Sequence, residues 1–186
     1  MLVCDDVLAD PLGYRAAVLA KPFNDVVFGP HIFHGIQIAD DETFPAWIVE
    51  RCPQLTPTLS FFRQSPAGQR EPNYVHTDRD MGEWTAILYL NPRPAAGDGT
   101  MFWRHRDTGA LGSEVSDDTA LLEEQQAWRD LRLWEPVGRI DAKLGRAIVF
   151  PADRFHSRRL PHNYGTGDDA RLVQVVFGVG ALEEGM

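Results

Sequence analysis

The sequence predicts a mainly β domain, a two-sheet jelly roll or barrel with helices packed on its outside. Three observations predict it. From Leu55 onward the chain alternates short apolar, strand-like runs with turn signals. Thirteen prolines and sixteen glycines are scattered rather than clustered, which suits many short strands better than a long-helix bundle. The 186 residues, 44% hydrophobic and 24% charged, are enough for one compact domain with a sizeable core.

The elements follow in order. Leu2–Cys4 reads as a short strand. Asp10-Pro11 supplies an N-cap and a proline at the first helical position, opening a helix through about Ala20 whose apolar face is Leu12, Ala16 and Leu19. A second short helix follows Asp41, with Phe44, Trp47 and Ile48 on its buried side. Both helices are expected to pack outside a sheet. Strands then fall at 58–64, 73–77, 84–91, 100–104, 134–140, 146–150, 154–160 and 171–178. Between them stand turn signals such as Pro66-Ala67-Gly68, Gly97-Asp98-Gly99 and Gly165-Thr166-Gly167. One further helix is predicted at about 117–134, capped by Asp117 or Asp118, with Leu121, Trp128, Leu131 and Trp134 on one face. With no repeat or low-complexity linker, residues 1–186 read as one domain: helical support over 1–54, and a jelly-roll core over 55–180 that carries the helical insertion.

Composition removes several function classes. A net charge of −9 argues against a standing nucleic-acid footprint, although Arg154, Arg158 and Arg159 form a local basic group. Two cysteines, Cys4 and Cys52, have neither disulfide-scaffold nor zinc spacing. No apolar run is long enough for a bilayer, and the first residues lack the pattern of a signal peptide. A soluble, cytoplasmic protein is expected.

The sharpest chemical signal is Tyr74-Val75-His76-Thr77-Asp78. In an extended segment, residues two apart project to one side, so His76 and Asp78 can reach one metal ion together. A second histidine would complete a two-His-one-carboxylate facial site with open positions. His156, just beyond the apolar run Arg146–Pro151, is the candidate. Arg171 opens the apolar strand Leu172–Phe177, and a guanidinium inside a barrel needs an anion that fits its fork.

The ordered set His76-Thr77-Asp78, Tyr89-Leu90-Asn91, Gly97-Asp98-Gly99-Thr100, His156 and Arg171 resembles the prolyl-4-hydroxylase-like branch of the iron(II)- and 2-oxoglutarate-dependent oxygenases. The resemblance covers roughly residues 58–180 and implies a double-stranded β-helix. It implies that His76, Asp78 and His156 ligate Fe(II), and that Arg171 pairs with the distal carboxylate of 2-oxoglutarate. It also implies a hydrogen bond from Tyr89 to that co-substrate, and dioxygen and a small-molecule or peptide substrate as the other reactants. Oxidative decarboxylation of 2-oxoglutarate with hydroxylation of the substrate is the implied chemistry. Arg171 lies 15 positions after His156, a longer gap than the family's usual one, and Arg158 is the fallback anion partner.

Blander readings stand beside these. His76 and Asp78 can be a hydrogen-bonded turn pair, His156 a satisfied core histidine, Tyr89 core material, and Arg171 a surface charge paired with Asp168 or Asp169. His31 and His34 read as loop or packing residues, and His105 as a weak rival ligand. Arg63, Trp103 and Arg104 are candidates for a substrate pocket, with packing or exposure as the default. The competing functions are a cupin-like metalloenzyme that does not use 2-oxoglutarate, favoured by a solvent-facing Arg171, and a non-catalytic jelly-roll binding protein. The prime substrate and the oligomeric state are not legible.

Overall fold

The computed structural model describes residues 1–28, 31–69, 74–113 and 130–182. Two sheets face each other, as a jelly roll requires. Strands β1 (Leu2–Cys4), β2 (Asn24–Phe28), β3 (His31–Ile38), β4 (Thr56–Ser65), β5 (Trp84–Tyr89), β8 (Ala147–Pro151) and β10 (Arg171–Val179) form the larger, in the order β1-β8-β5-β10-β4-β3-β2. The smaller is β7 (Trp134–Asp141), β6 (Gly99–His105) and β9 (His156–Arg158), in the order β7-β6-β9. Every pairing between these strands is antiparallel.

The central strands of the larger sheet bury both faces, which is why they read as near-continuous apolar runs. Alternate residues Trp84, Ala86 and Leu88 of β5, Ala147 and Val149 of β8, and Leu172 and Val176 of β10 point outward. There they meet Phe44 and Ile48 of α2 (Thr43–Arg51) and Val18 of α1 (Pro11–Leu19). The predicted cap of α1 is present: the Asp10 carboxylate accepts from the Gly13 amide at 2.9 Å, with Pro11 at the first helical position. The other residues of the same strands form an inner core of Tyr89, Ile148, Phe150 and Val173, closed from the smaller sheet by Phe102.

Three expectations change. Residues 1–54 do more than supply helices, because β1, β2 and β3 all lie in the larger sheet. Segment 74–77 is not a ladder strand: Tyr74 and Val75 bend, and His76 alone bridges to His156. The helix expected at 117–134 falls mostly outside the described residues. Its visible end, Leu131–Leu133, is a single 3-10 turn, and Trp134 already belongs to β7, paired with His105. Neither described helix is long and apolar enough to cross a membrane.

Candidate metal centre

The backbone first brings the two histidines together. His76 and His156 exchange both amide-to-carbonyl hydrogen bonds, at 3.0 and 2.9 Å, so His76 extends the smaller sheet by one residue beyond β9. Their rings lie 4.4 Å apart. Two residues on, the Asp78 amide donates to the Ala152 carbonyl at 2.8 Å, just past the end of β8. A carboxylate and two imidazoles from chain positions 78 residues apart thereby converge.

Side-chain hydrogen bonds then aim the ligand atoms. Nδ1 of His76 faces the Tyr74 carbonyl at 3.2 Å, and Nδ1 of His156 faces the Arg154 carbonyl at 2.9 Å. A carbonyl only accepts, so both rings hold their proton on Nδ1 and turn Nε2 toward the centre. Nε2 of His76 is 3.8 Å from Oδ1 of Asp78, and Nε2 of His156 is 3.2 Å from Oδ2. Thr85 of β5 donates to the same Oδ2 at 2.9 Å. Among the described residues this is the one cluster of three His, Cys, Asp or Glu side chains whose ligand atoms all lie within 4.8 Å of one another.

Charge is distributed to match. Burial pushes the His76 pKa down, reinforced by His156 and opposed by Asp78, to about 4. Burial pushes Asp78 upward, but the charge and hydrogen bond of His156, with His76 and Thr85, outweigh it and bring the carboxyl down to about 2. Burial lowers His156, and Asp78 reverses the sign and raises it. The Asp78 carboxylate and the neutral His76 are in the forms that bind a divalent cation, and the upward shift of His156 means that a cation competes with a proton there.

Deeper along the inner face lies a second polar cluster. Arg171, 8% exposed, donates from Nε to Oδ1 of Asp98 at 3.0 Å, and Asp98 is 4% exposed. Tyr164 donates to the other Asp98 oxygen at 2.7 Å, and the Gly99 amide to Oδ1 at 2.7 Å. The Tyr89 hydroxyl is 2.6 Å from the Thr100 hydroxyl, and burial keeps this phenol protonated. Between the clusters stand Phe102 and Phe150, whose rings meet at 5.2 Å, with Phe150 4.8 Å from His156.

The reading of Arg171 as a surface charge on Asp168 or Asp169 is thus replaced: those two are exposed in a 3-10 turn, and the partner is Asp98. The fallback Arg158 is spent on loop atoms, donating to the carbonyls of Leu160 and Pro161 and to Asn163. His34 pairs with Asp25 at 3.0 Å, and His105 contacts Thr108 and the Trp134 ring; neither joins the centre. Sequence reasoning missed Asp98 and Thr85. Asp98 sat in a glycine turn where turn chemistry explained it, whereas Thr85 had the signal of standing two residues before Ile87 on an inward-facing strand.

Solved structures with this fold include the non-heme alpha-ketoglutarate-dependent carbocyclase SnoK from nogalamycin biosynthesis. It is 16% identical, with a TM-score of 0.57 over 94% of this chain and 77% of that one. A prolyl hydroxylase from Trichoplax adhaerens, solved with a hypoxia-inducible-factor peptide, is 13% identical, with a TM-score of 0.56 over 95% and 82%. HygX from Streptomyces hygroscopicus, solved with nickel and 2-oxoglutarate bound, is 12% identical, with a TM-score of 0.52 over 94% and 80%. At these identities the likeness shows the fold, a double-stranded β-helix. No curated protein matches this chain. A family described as a family of unknown function, DUF6445, matches residues 50–172, a stretch that holds the whole His76–Asp78–His156 cluster together with Asp98 and Arg171, and the chain belongs to that family.

Proposed function

We propose that this protein is an iron(II)- and 2-oxoglutarate-dependent oxygenase that hydroxylates a small molecule or a protein side chain, with His76, Asp78 and His156 as its metal ligands. The observation that carries the reading is the aim of the cluster. Two Nε2 atoms and a carboxylate converge from one end of the barrel, and both Nδ1 atoms are already occupied by carbonyls. Two imidazoles and one carboxylate suit a non-heme iron(II) centre with open positions better than a closed structural zinc site. The fold neighbours include a carbocyclase named for alpha-ketoglutarate dependence and a prolyl hydroxylase. The motif order of the sequence favours that hydroxylase branch, and a retained carboxylate ligand favours hydroxylation over halogenation.

The residues fit both groups. Iron(II) with 2-oxoglutarate would supply oxidation by dioxygen coupled to decarboxylation. The chain's own part is positioning. Arg171 would take the distal carboxylate of the co-substrate through its Nη atoms, because among the described residues its side-chain hydrogen bond runs from Nε to Asp98. Its burial at the inner face removes the solvent-facing arginine that would favour a cupin-like enzyme of another class. Tyr89, held by Thr100, would donate a second hydrogen bond to that carboxylate when Thr100 donates to it. Phe102, Phe150, Ile148 and Val173 wall the space between and exclude water.

The test is anaerobic titration of the iron(II)-loaded protein with 2-oxoglutarate, followed by its weak visible charge-transfer band. A saturable band is expected in the wild type, with loss of iron in His76→Ala and Asp78→Ala while the circular dichroism of the fold is kept. Arg171→Ala should keep the iron and raise the 2-oxoglutarate concentration needed. Undiminished iron in both ligand variants would sink the assignment.

A further inference from the structure

Across β5, β10, β4 and β3 the larger sheet inverts the usual burial of polar and apolar side chains. On the helix side the register opposes Leu88, Gln174, Phe62 and Gln37, and all four are at most 7% exposed. Two of them are amides. Gln174 accepts from Tyr14 and donates to Ser60, and Gln37 donates to the carbonyls of Val18 and Lys21. One position along each strand, on the barrel side, stand Ile87, Val175, Phe61 and Ile38, also in register. This row is hydrocarbon throughout, yet Ile87, Val175 and Phe61 are only half-buried and Ile38 is 60% exposed. The row with amides is covered, and the apolar row is accessible.

The accessible row begins beside the proposed metal centre. Thr85, which donates to Asp78, lies two residues from Ile87 on the same face of β5, opposite Phe177 of β10. The Phe177 ring meets Phe61 with centroids 5.8 Å apart, which carries the contact on to β4. On β5 and β10 the flanking residues are buried, Thr85 and Phe177 on the metal side and Tyr89 and Val173 on the side of Arg171. The accessible strip there is one row wide. It leads from the support of Asp78 across β10 and β4 to Ile38 on β3.

We infer that the prime substrate is a small molecule whose uncharged hydrocarbon part lies on Ile87, Val175, Phe61 and Ile38, with one end beside the metal. The inference rests on the oxygenase reading for what happens to that substrate, but its binding side can be tested alone. Single exposed apolar residues need no explanation, whereas four in register that start at a metal centre make a floor for a ligand. Three gaps between neighbouring strands give the row a length of about 15 Å, the scale of a medium-length hydrocarbon chain or a fused ring system. The row crosses the strands within the sheet, so it offers no strand edge to an extended peptide. On such a floor affinity rises with hydrocarbon length, by about four-fold for each methylene buried.

The experiment uses the full chain loaded with manganese(II) and saturating 2-oxoglutarate, without dioxygen. 1-Pentanol, 1-octanol and glucose, a polar control, are titrated by ligand-observed NMR. Octanol should bind at least about ten-fold tighter than pentanol, and glucose should not bind. Manganese(II) should broaden the octanol signals beyond those seen with zinc(II)-loaded protein, which sets the probe beside the metal. Ile38→Asp changes an exposed position and should keep wild-type circular dichroism. It should weaken octanol at least about ten-fold and leave pentanol, which ends short of β3, within about two-fold. Ile38→Leu should bind octanol as wild type does. Absent octanol binding, equal affinity of the two alcohols, binding of glucose, octanol signals that manganese(II) leaves sharp, or full octanol affinity in Ile38→Asp overturns the inference. So does displacement of 2-oxoglutarate by octanol, which would put the probe on the co-substrate's site. Failure of manganese(II) or 2-oxoglutarate to bind, seen in its own titration, counts against the oxygenase reading instead. The alcohol series and the Ile38 variants are then run on the protein alone and still decide the floor.

Discussion

Asp98→Asn is the substitution that most directly probes the buried end of the barrel. Asp98 and Arg171 are 4% and 8% exposed and share a 3.0 Å hydrogen bond, with Tyr164 and the Gly99 amide completing the carboxylate's shell. The amide keeps the shape and removes the charge. It leaves a guanidinium nine-tenths buried without its counter-ion, and its NH2 group competes with a donor for the same space. Breaking a buried pair from one side costs about 3–5 kcal/mol, a large part of a typical total of about 5–15 kcal/mol. Urea denaturation of wild type, Asp98→Asn, Arg171→Met and the double variant measures it as a cycle. The double variant should recover much of the loss, because an apolar pair in that space strands no charge. Saturating 2-oxoglutarate on the manganese(II)-loaded protein should stabilise Asp98→Asn more than wild type, since its distal carboxylate then replaces the missing anion. An Asp98→Asn protein within about 1 kcal/mol of wild type, or a double variant no better than the single, would refute the buried pair.

Three further outcomes follow from other contacts. Thr85→Val removes the donor to Asp78 Oδ2 without changing volume, and iron(II) affinity should fall by about 10- to 100-fold while the fold stays intact; an unchanged affinity in a metal-competition titration would remove Thr85 from the site. Gly99→Ala places a Cβ 2.0 Å from the Ile140 carbonyl at a φ of 146°, and should destabilise by more than about 2 kcal/mol in urea, since it also disturbs the turn that carries Asp98. Hydrogen bonds from Arg146 and then Lys143 hold the Asp5 carboxyl well below its ordinary 3.8, so its contribution is present above that value and lost as pH falls through the folded value. Asp5→Asn should therefore cost about 0.5–1 kcal/mol at neutral pH, discounted because the side chain is 36% exposed, and the gap to wild type should shrink on acidification; a gap that widens toward acid contradicts the sign.

What the sequence disclosed, and what it hid, follows the range of the interactions. His76 and Asp78 were legible because their pairing is local: a period of two in extended chain puts them on one side. The strands of the larger sheet from β4 onward were legible because each carries its own alternation or apolar run. The β2–β3 hairpin was not. Its alternation breaks where β3 has an extra residue near Gly35, whose φ of 67° marks a bulge, so the register to β2 shifts between Asn24 and Val26. An added Cβ at Gly35 would sit 2.1 Å from the Gln64 carbonyl, which ties that glycine to a neighbour the local sequence does not name.

Asp98 was hidden for the same reason at longer range. Its turn is a local event that explains an aspartate completely, while its partner Arg171 lies 73 residues away and becomes visible only when β6 and β10 face each other. Asp168 and Asp169, nearer in sequence, were the natural candidates, and they point into solvent. The same logic bears on Arg63. In sequence it is one polar residue in an aromatic-rich strand, as consistent with exposure as with a pocket. Its meaning comes from Val173 on one side and Ile36 on the other, two register partners supplied by strands more than twenty residues away in opposite directions.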